Sequence, residues 1–443
     1  MAAPLNAQSP PAPVGRGARR AAMAFIFVTI ILDTLGFGII IPVLAPLVVE
    51  FTGSETQGAV IFGILLTVWS LMQFLFSPLL GALSDRFGRR PVLILSSIGL
   101  GLDYIVMALA PSLAWLFVGR VLSGITASSY ATAAAYVADV TPPERRAASF
   151  GMIGAAWGVG FIVGPALGGV LGGFGVRLPF WAAAIMSLAS AGYGLVVLPE
   201  SLPAGTRKRF SWRRANPAGS LTLLRSRREL IGLAGVNFLS FLAFQVLPSV
   251  FVIYAGYRYG WGELPVGLTL TLVGVCNIAV QGGLVKPVIK RLGERRTLYM
   301  GLLAGMAGFV VYGSAPTGWT FLLGVPVFAF IGLGQPSIQS LMSRHVSPAE
   351  QGQLQGANAS ILGLTGILGP ILFTAVFSRF IGPTKILDLP GVAFYLAAVL
   401  MLTAALLAVG VTRAVHAAGV PGVPVAVPDG DPLGGSRLQR GPR

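Results

Sequence analysis

The sequence predicts an all-α membrane protein whose twelve transmembrane helices form two pseudo-symmetric six-helix bundles. Three observations predict it. Of the 443 residues, 54% are hydrophobic and only 10% charged, against about 25% charged in a soluble domain. Apolar runs of ~20 residues, the length that crosses a bilayer, recur between short polar turns. Lysine and arginine are also lopsided: 26 of the 31 fall in the tails and alternate loops. Four (Arg177, Arg258, Arg379, Lys385) fall in the loops between, and Arg120 falls inside a span. That asymmetry follows the positive-inside rule and expects both termini in the cytoplasm. It also argues against a nucleic-acid partner despite the net charge of +16.

Residues 1–20 are polar and Pro/Ala-rich and precede a full-length span, so they read as a disordered cytoplasmic tail rather than a cleavable signal. An N-terminal bundle, 21–198, holds spans at roughly 21–49, 58–83, 91–110, 113–136, 148–173 and 178–198. The longest polar segment, 199–228, carries eight basic residues and reads as a cytoplasmic linker. The C-terminal bundle, 229–412, holds spans at 229–255, 262–289, 297–314, 318–343, 352–380 and 389–412. Residues 413–443, rich in Gly, Pro and Val, are expected to be a second disordered cytoplasmic tail. The halves look like a degenerate repeat. The turn Gly283…Leu292-Gly293-Glu294-Arg295-Arg296 echoes the turn between spans two and three, without its aspartate, and Gly369-Pro370 echoes Gly164-Pro165. Internal repeats with a binding site near the midplane are how secondary transporters achieve alternating access.

The turn between spans two and three is Gly81-Ala82-Leu83-Ser84-Asp85-Arg86-Phe87-Gly88-Arg89-Arg90. Its glycines let two helix ends approach closely. Asp85 suits an arginine or a helix N-terminus, and Arg86, Arg89 and Arg90 suit carboxylates and helix C-termini. Three ionisable residues lie deep in the predicted spans: Asp33, Asp103 and Arg120. Charges there are expensive and point to function. Burial and a nearby cation act on Asp33 in opposite senses, so it can bind and release a proton, although a structural aspartate capped by its neighbours is the competing reading. Arg120 cannot deprotonate and needs a partner. Asp33 is the first expectation for that partner and Asp103 the second.

Span five carries Gly151, Gly160, Gly164-Pro165 and Gly168-Gly169. Small residues at this spacing allow close helix contact, and the proline bends the helix. Gln73, Asn237, Gln245, Asn277 and Gln281 are uncharged polar groups in apolar surroundings. With Trp69, Phe161 and Phe244 they suit a cavity for an amphipathic ligand, or else interhelical hydrogen bonds. The lone Cys276 and two distant histidines give no disulfide framework and no metal cluster. No cofactor and no enzymatic nucleophile–base pair is expected.

On LDTLGFGIIIPVL, GALSDRFGRRPVLILSSIGLGLDY, GRVLSGITASS, VADVTPPERRAASFGMIGAAWGVGFIVGPALGG and GQPSIQSLMS…GQLQGANASILGLTGILGPILFT, the chain resembles the major facilitator superfamily. The likeness runs through most of 21–412 and is to the drug:proton antiporter branch, above all bacterial tetracycline/proton antiporters. The resemblance implies a bacterial inner (plasma) membrane transporter, expected to work as a monomer, that exports a small amphipathic compound in exchange for protons. A metabolite facilitator or symporter of the same fold is the alternative, and a non-transporting membrane receptor a more distant one. It implies that Asp33 is the essential span-one acid, Asp103 the acid of a span-three Asp-Tyr pair, and Gln73 and Arg120 polar cavity positions. Asp85, Arg89 and Asp139 fall on a cytoplasmic charge network, and the span-five glycines on an antiporter motif. Two positions depart from the pattern: Asn277 stands where such pumps carry a histidine and Gly305 where they carry an aspartate, while Gln281 matches.

Overall fold

Lipid offers peptide groups no hydrogen bonds, so a spanning chain must pair every N–H and C=O within its own segment. The computed structural model describes residues 16–127, 129–141, 146–202, 205, 207, 223–224, 228–347, 350–383 and 385–417. The first half comprises α1 (Arg16–Thr52), α2 (Glu55–Phe87), α3 (Arg89–Leu109), α4 (Leu113–Thr126), α5 (Ser129–Val140), α6 (Arg146–Phe174) and α7 (Leu178–Val197). The second comprises α8 (Arg228–Phe244), α9 (Val246–Tyr259), α10 (Glu263–Ala279) with a π turn at Val280–Leu284, α11 (Val285–Ser314), α12 (Gly318–Ala329), a 3-10 turn at Phe330–Leu333, α13 (Gly334–Ser343), α14 (Gln351–Ser378) and α15 (Val392–Ala417). The remainder of both expected tails (1–15 and 418–443) and most of the expected linker lie outside the described residues.

Ten helical segments among the described residues are long and apolar enough to span, against twelve expected. The difference sits at two places. One segment, Glu263–Ser314, is 52 residues long and contains expected spans eight and nine. It turns at Gly293, whose φ of 76° is open to glycine. The fourth expected span is divided into α4 and α5, each short of a full crossing. Proline explains two further breaks. Pro248 cannot donate to the Phe244 carbonyl at the α8–α9 junction, nor Pro336 to Gly332 at the 3-10 turn before α13.

The turns with Asp85–Arg90, Glu200 and Lys286–Arg296 mark a basic end of the molecule, and Gly53, Arg177, Trp261 and Thr317 mark the opposite end. The halves meet along α6 with α10 and α2 with α14. Close packing and interhelical hydrogen bonds hold such seams in lipid. Thr67 Oγ1 donates to the Ile367 carbonyl at 3.0 Å, and Thr271 Oγ1 to the Ile162 carbonyl at 2.8 Å. Gly63 leaves room for Thr374, and a Cβ on Gly169 would lie 2.6 Å from the Glu263 carbonyl oxygen. These contacts run from the opposite end to Gly158–Ile278 and Phe74–Gly363 near mid-height. Beyond them Gly154, Gly282 and Gly283 have no neighbour within 4 Å that an added Cβ would meet among the described residues. Among the described residues, these contacts between the halves thus lie at the opposite end and near mid-height.

Candidate functional site

Asp103 on α3 is fully buried and Arg120 on α4 is 4% exposed, with Arg120 Nη2 3.8 Å from Asp103 Oδ2. The contact follows from the chain, because α3 and α4 are consecutive antiparallel helices and Gly119 lets them close. A Cβ there would stand 2.8 Å from Asp103 Oδ1. Arg120 Nη2 also donates to Met107 Sδ at 3.0 Å. This corrects the first expectation, which paired Arg120 with Asp33. Asp33 lies on α1, whose main partners are α6 and α7. Its Oδ1 is buried without a hydrogen-bond partner among the described residues. Tyr104, adjacent to Asp103, lays its ring beside Gly36, one turn on from Asp33, where a Cβ would lie 3.5 Å from Tyr104 Cε2. The two acids therefore flank one tyrosine from different helices.

The glycines of α6 serve two neighbours. Gly160 accommodates Thr34, Gly168 leaves room for the Ile39 carbonyl, and a Cβ on Gly164 would lie 2.8 Å from the Gly38 Cα. All three face α1 beside Asp33. Pro165 and Gly169 instead meet Gly267 and Glu263 of α10 across the inter-half seam. Gly151 lies near the start of α6.

Aromatic and amide groups gather on the helices that flank the seam between the halves. Phe37 stacks on Trp69 with centroids 5.5 Å apart and lies 6.1 Å from Phe161. Sequence reasoning missed Phe37, and its signal was an aromatic between two glycines one turn beyond Asp33. Gln73 on α2 is half-buried, and Gln245, at the α8–α9 break, packs against Gly366 and Gly369 of α14. Asn277 and Gln281 come together at Gly332, whose added Cβ would lie 3.5 Å from Asn277 Oδ1 and 3.1 Å from Gln281 Cγ. Gly305 packs against Ile331, and Phe244 stacks on Phe328 at 6.3 Å. Asn237 is a correction. It is fully buried and donates to Asn358 Oδ1 at 3.1 Å, which makes it a bond between α8 and α14 rather than part of a ligand cavity.

At the basic end Arg89 is the centre of the charge network. Its Nη1 lies 2.6 Å from Asp85 and its Nε 3.2 Å from Asp139 Oδ2, and it also donates to Ser84 Oγ. Arg90 donates to the Leu195 carbonyl at 2.7 Å, and the Arg86 guanidinium covers the Phe87 ring at 5.0 Å. Gly81 has no neighbour within 4 Å that an added Cβ would meet among the described residues. The unexpected member is Glu200, just after α7. Its Oε1 accepts from the Arg89 N–H at 2.9 Å and its Oε2 from the Arg90 N–H at 3.3 Å. A carboxylate thus satisfies the free donors, and the positive dipole, of the α3 N-terminus. Gly88, at φ 108°, permits both the turn and the approach of Glu200, whose carboxylate would collide with any Cβ there. The sequence signal was a single acid directly after span six, opposite a cluster of cations. No group of three or more His, Cys, Asp or Glu among the described residues could hold a metal ion.

The chain is similar to several known proteins. The class C tetracycline resistance protein of Escherichia coli is 38% identical over 357 residues, 81% of this chain and 90% of the relative. The class G tetracycline resistance protein of Vibrio anguillarum is 41% identical over 353 residues, 79% of this chain and 89% of the relative. The crystal structure of the human organic anion transporter MFSD10 superposes with a TM-score of 0.66 at 25% identity, covering 90% of this chain and all of that one. The nucleoside transporter NupG, at 14% identity, shares the fold with a TM-score of 0.73 over 88% of this chain and 99% of that one. The profile of the Major Facilitator Superfamily matches residues 26–370. With its paired helical halves and multiple apolar spans, this is a multi-pass membrane protein that belongs to the major facilitator superfamily.

Proposed function

We propose that the chain is a proton-coupled exporter of a small amphipathic compound of the tetracycline type, working by alternating access. The observation that carries this reading is Asp33, a deep carboxyl with a buried oxygen that has no hydrogen-bond partner among the described residues, on the helix that packs against the α6 glycines. As the halves rock, the side of the membrane from which water reaches that carboxyl changes, and so its proton is coupled to the access state. Asp103 is the second acid and Arg120 the fixed cation that sets its charge balance. The amides Gln73, Gln245, Asn277 and Gln281 orient a ligand against Phe37, Trp69, Phe161 and Phe244. On this reading the positive-inside rule makes the basic end cytoplasmic, a cleft between the halves opening there is the inward-facing state, and both tails and the linker belong to that side. Both cleft walls come from one chain, which fits a monomeric transporter. The names of the relatives support tetracycline, whereas the neutral Asn277 and Gly305 favour an altered specificity.

The test is growth inhibition of an efflux-deficient bacterium across a drug panel that includes tetracycline, with Asp33→Asn at matched expression. Protection by the wild type and none by Asp33→Asn is the expected outcome. Protection that persists in Asp33→Asn would move the proton site elsewhere. In sealed inverted vesicles, substrate movement without proton movement would favour the metabolite facilitator.

A further inference from the structure

Corresponding positions of the two halves lie 205 residues apart: Gly88 and Gly293 share a positive φ, and Gly164-Pro165 corresponds to Gly369-Pro370. The same shift carries Asp85 to Lys290, Arg89 to Glu294 and Asp139 to Arg344. Asp85, Arg89 and Asp139 thus reappear with their signs reversed, whereas Arg86 and Arg90 keep theirs in Arg291 and Arg295. The turn between spans eight and nine is therefore not a copy that simply lost its aspartate. Its acid has moved to the other side of the pair.

The geometry follows the inversion. In the first half Arg89, directly after Gly88, reaches Asp139 at the end of α5 at 3.2 Å. In the second half Glu294, directly after Gly293, reaches Arg344 at the end of α13 at 2.6 Å. Glu294 Oε1 also accepts from Ser340 Oγ at 2.6 Å. Arg344 is 60% exposed and Glu294 14%, so screening leaves the pair little to contribute to unfolding stability. A charged pair kept at an exposed corner of a moving bundle suits the control of conformation better.

We propose that Glu294 and Arg344 are positioning residues of the transport cycle, a second latch of reversed polarity. The latch ties the second leg of α11 to α13, as Arg89 and Asp139 tie α3 to α5. Each half then moves at its basic end as one body. The proposal rests on the export reading for its transport readout, but not for its conformational one.

The decisive variants are Glu294→Arg, Arg344→Asp and the two combined, which gives this pair the polarity of Arg89 and Asp139. Two readouts are taken at matched protein in a Cys276→Ser background. One is pH-gradient-driven uptake of a drug identified by the panel into inverted vesicles. The other is the inter-half distance between spin labels at Leu195→Cys and Met300→Cys. Each single variant is expected to slow uptake at least fivefold and to shift or broaden the distance distribution, with the combined variant restoring both. Wild-type behaviour of the single variants would overturn the proposal, and so would a combined variant no better than either single one. If the wild type moves no compound, the export reading fails, and the distance distributions alone decide the latch.

Discussion

Arg120 keeps its charge wherever it sits, so its surroundings are where a single substitution is felt most. With Asp103 neutralised, a buried guanidinium is stranded, and breaking a buried pair costs about 3–5 kcal/mol. Asp103→Asn should therefore lower the melting temperature in detergent sharply. Asp103→Asn combined with Arg120→Gln should recover most of that stability and still fail to export. Asp33→Asn should melt close to the wild type, because its Oδ1 gives up no partner, and should lose only proton-coupled transport. The three deep charges were legible in the sequence because a charge in lipid is conspicuous. Their pairing was not, since it depends on which helices lie side by side. Asn237 shows the same limit: nothing local to it names Asn358 as its partner.

At the scale of one helix, α6 carries the packing on both of its faces. A side chain on Gly164 meets the Gly38 backbone, which cannot rotate away. Gly164→Val should lose export and about 1–3 kcal/mol of stability through overpacking. Gly154→Val, in open space, should be tolerated at matched expression, and the two variants together separate a packing requirement from general intolerance of valine in this helix. The glycine spacing was plain in the sequence. That one face mates with α1 and the other with α10 across the two halves was not, because spacing records period and not partner.

For the whole molecule, the contact between the halves at the opposite end is testable by cross-linking. The Thr56 Cβ lies 3.9 Å from where a Cβ on Gly382 would sit, within the range of a disulfide. Thr56→Cys with Gly382→Cys, again without Cys276, should oxidise readily and stop transport until reduced, as read by gel mobility and vesicle uptake. The two-bundle plan was readable from apolar runs and basic loops. At which end the halves touch was not, because one sequence encodes both access states and differs between them only in their populations.

The Glu200 cap has a consequence for anyone who would divide this protein in two. The hydrogen bonds from Arg89 and Arg90 place the opening residues of the inter-half connection within the first bundle rather than between bundles. A gene cut after Val197 would leave the α3 N-terminus bare. A cut downstream of Arg207 gives each fragment its complete set of helix ends, and co-expressed fragments of that kind are the ones equipped to reassemble.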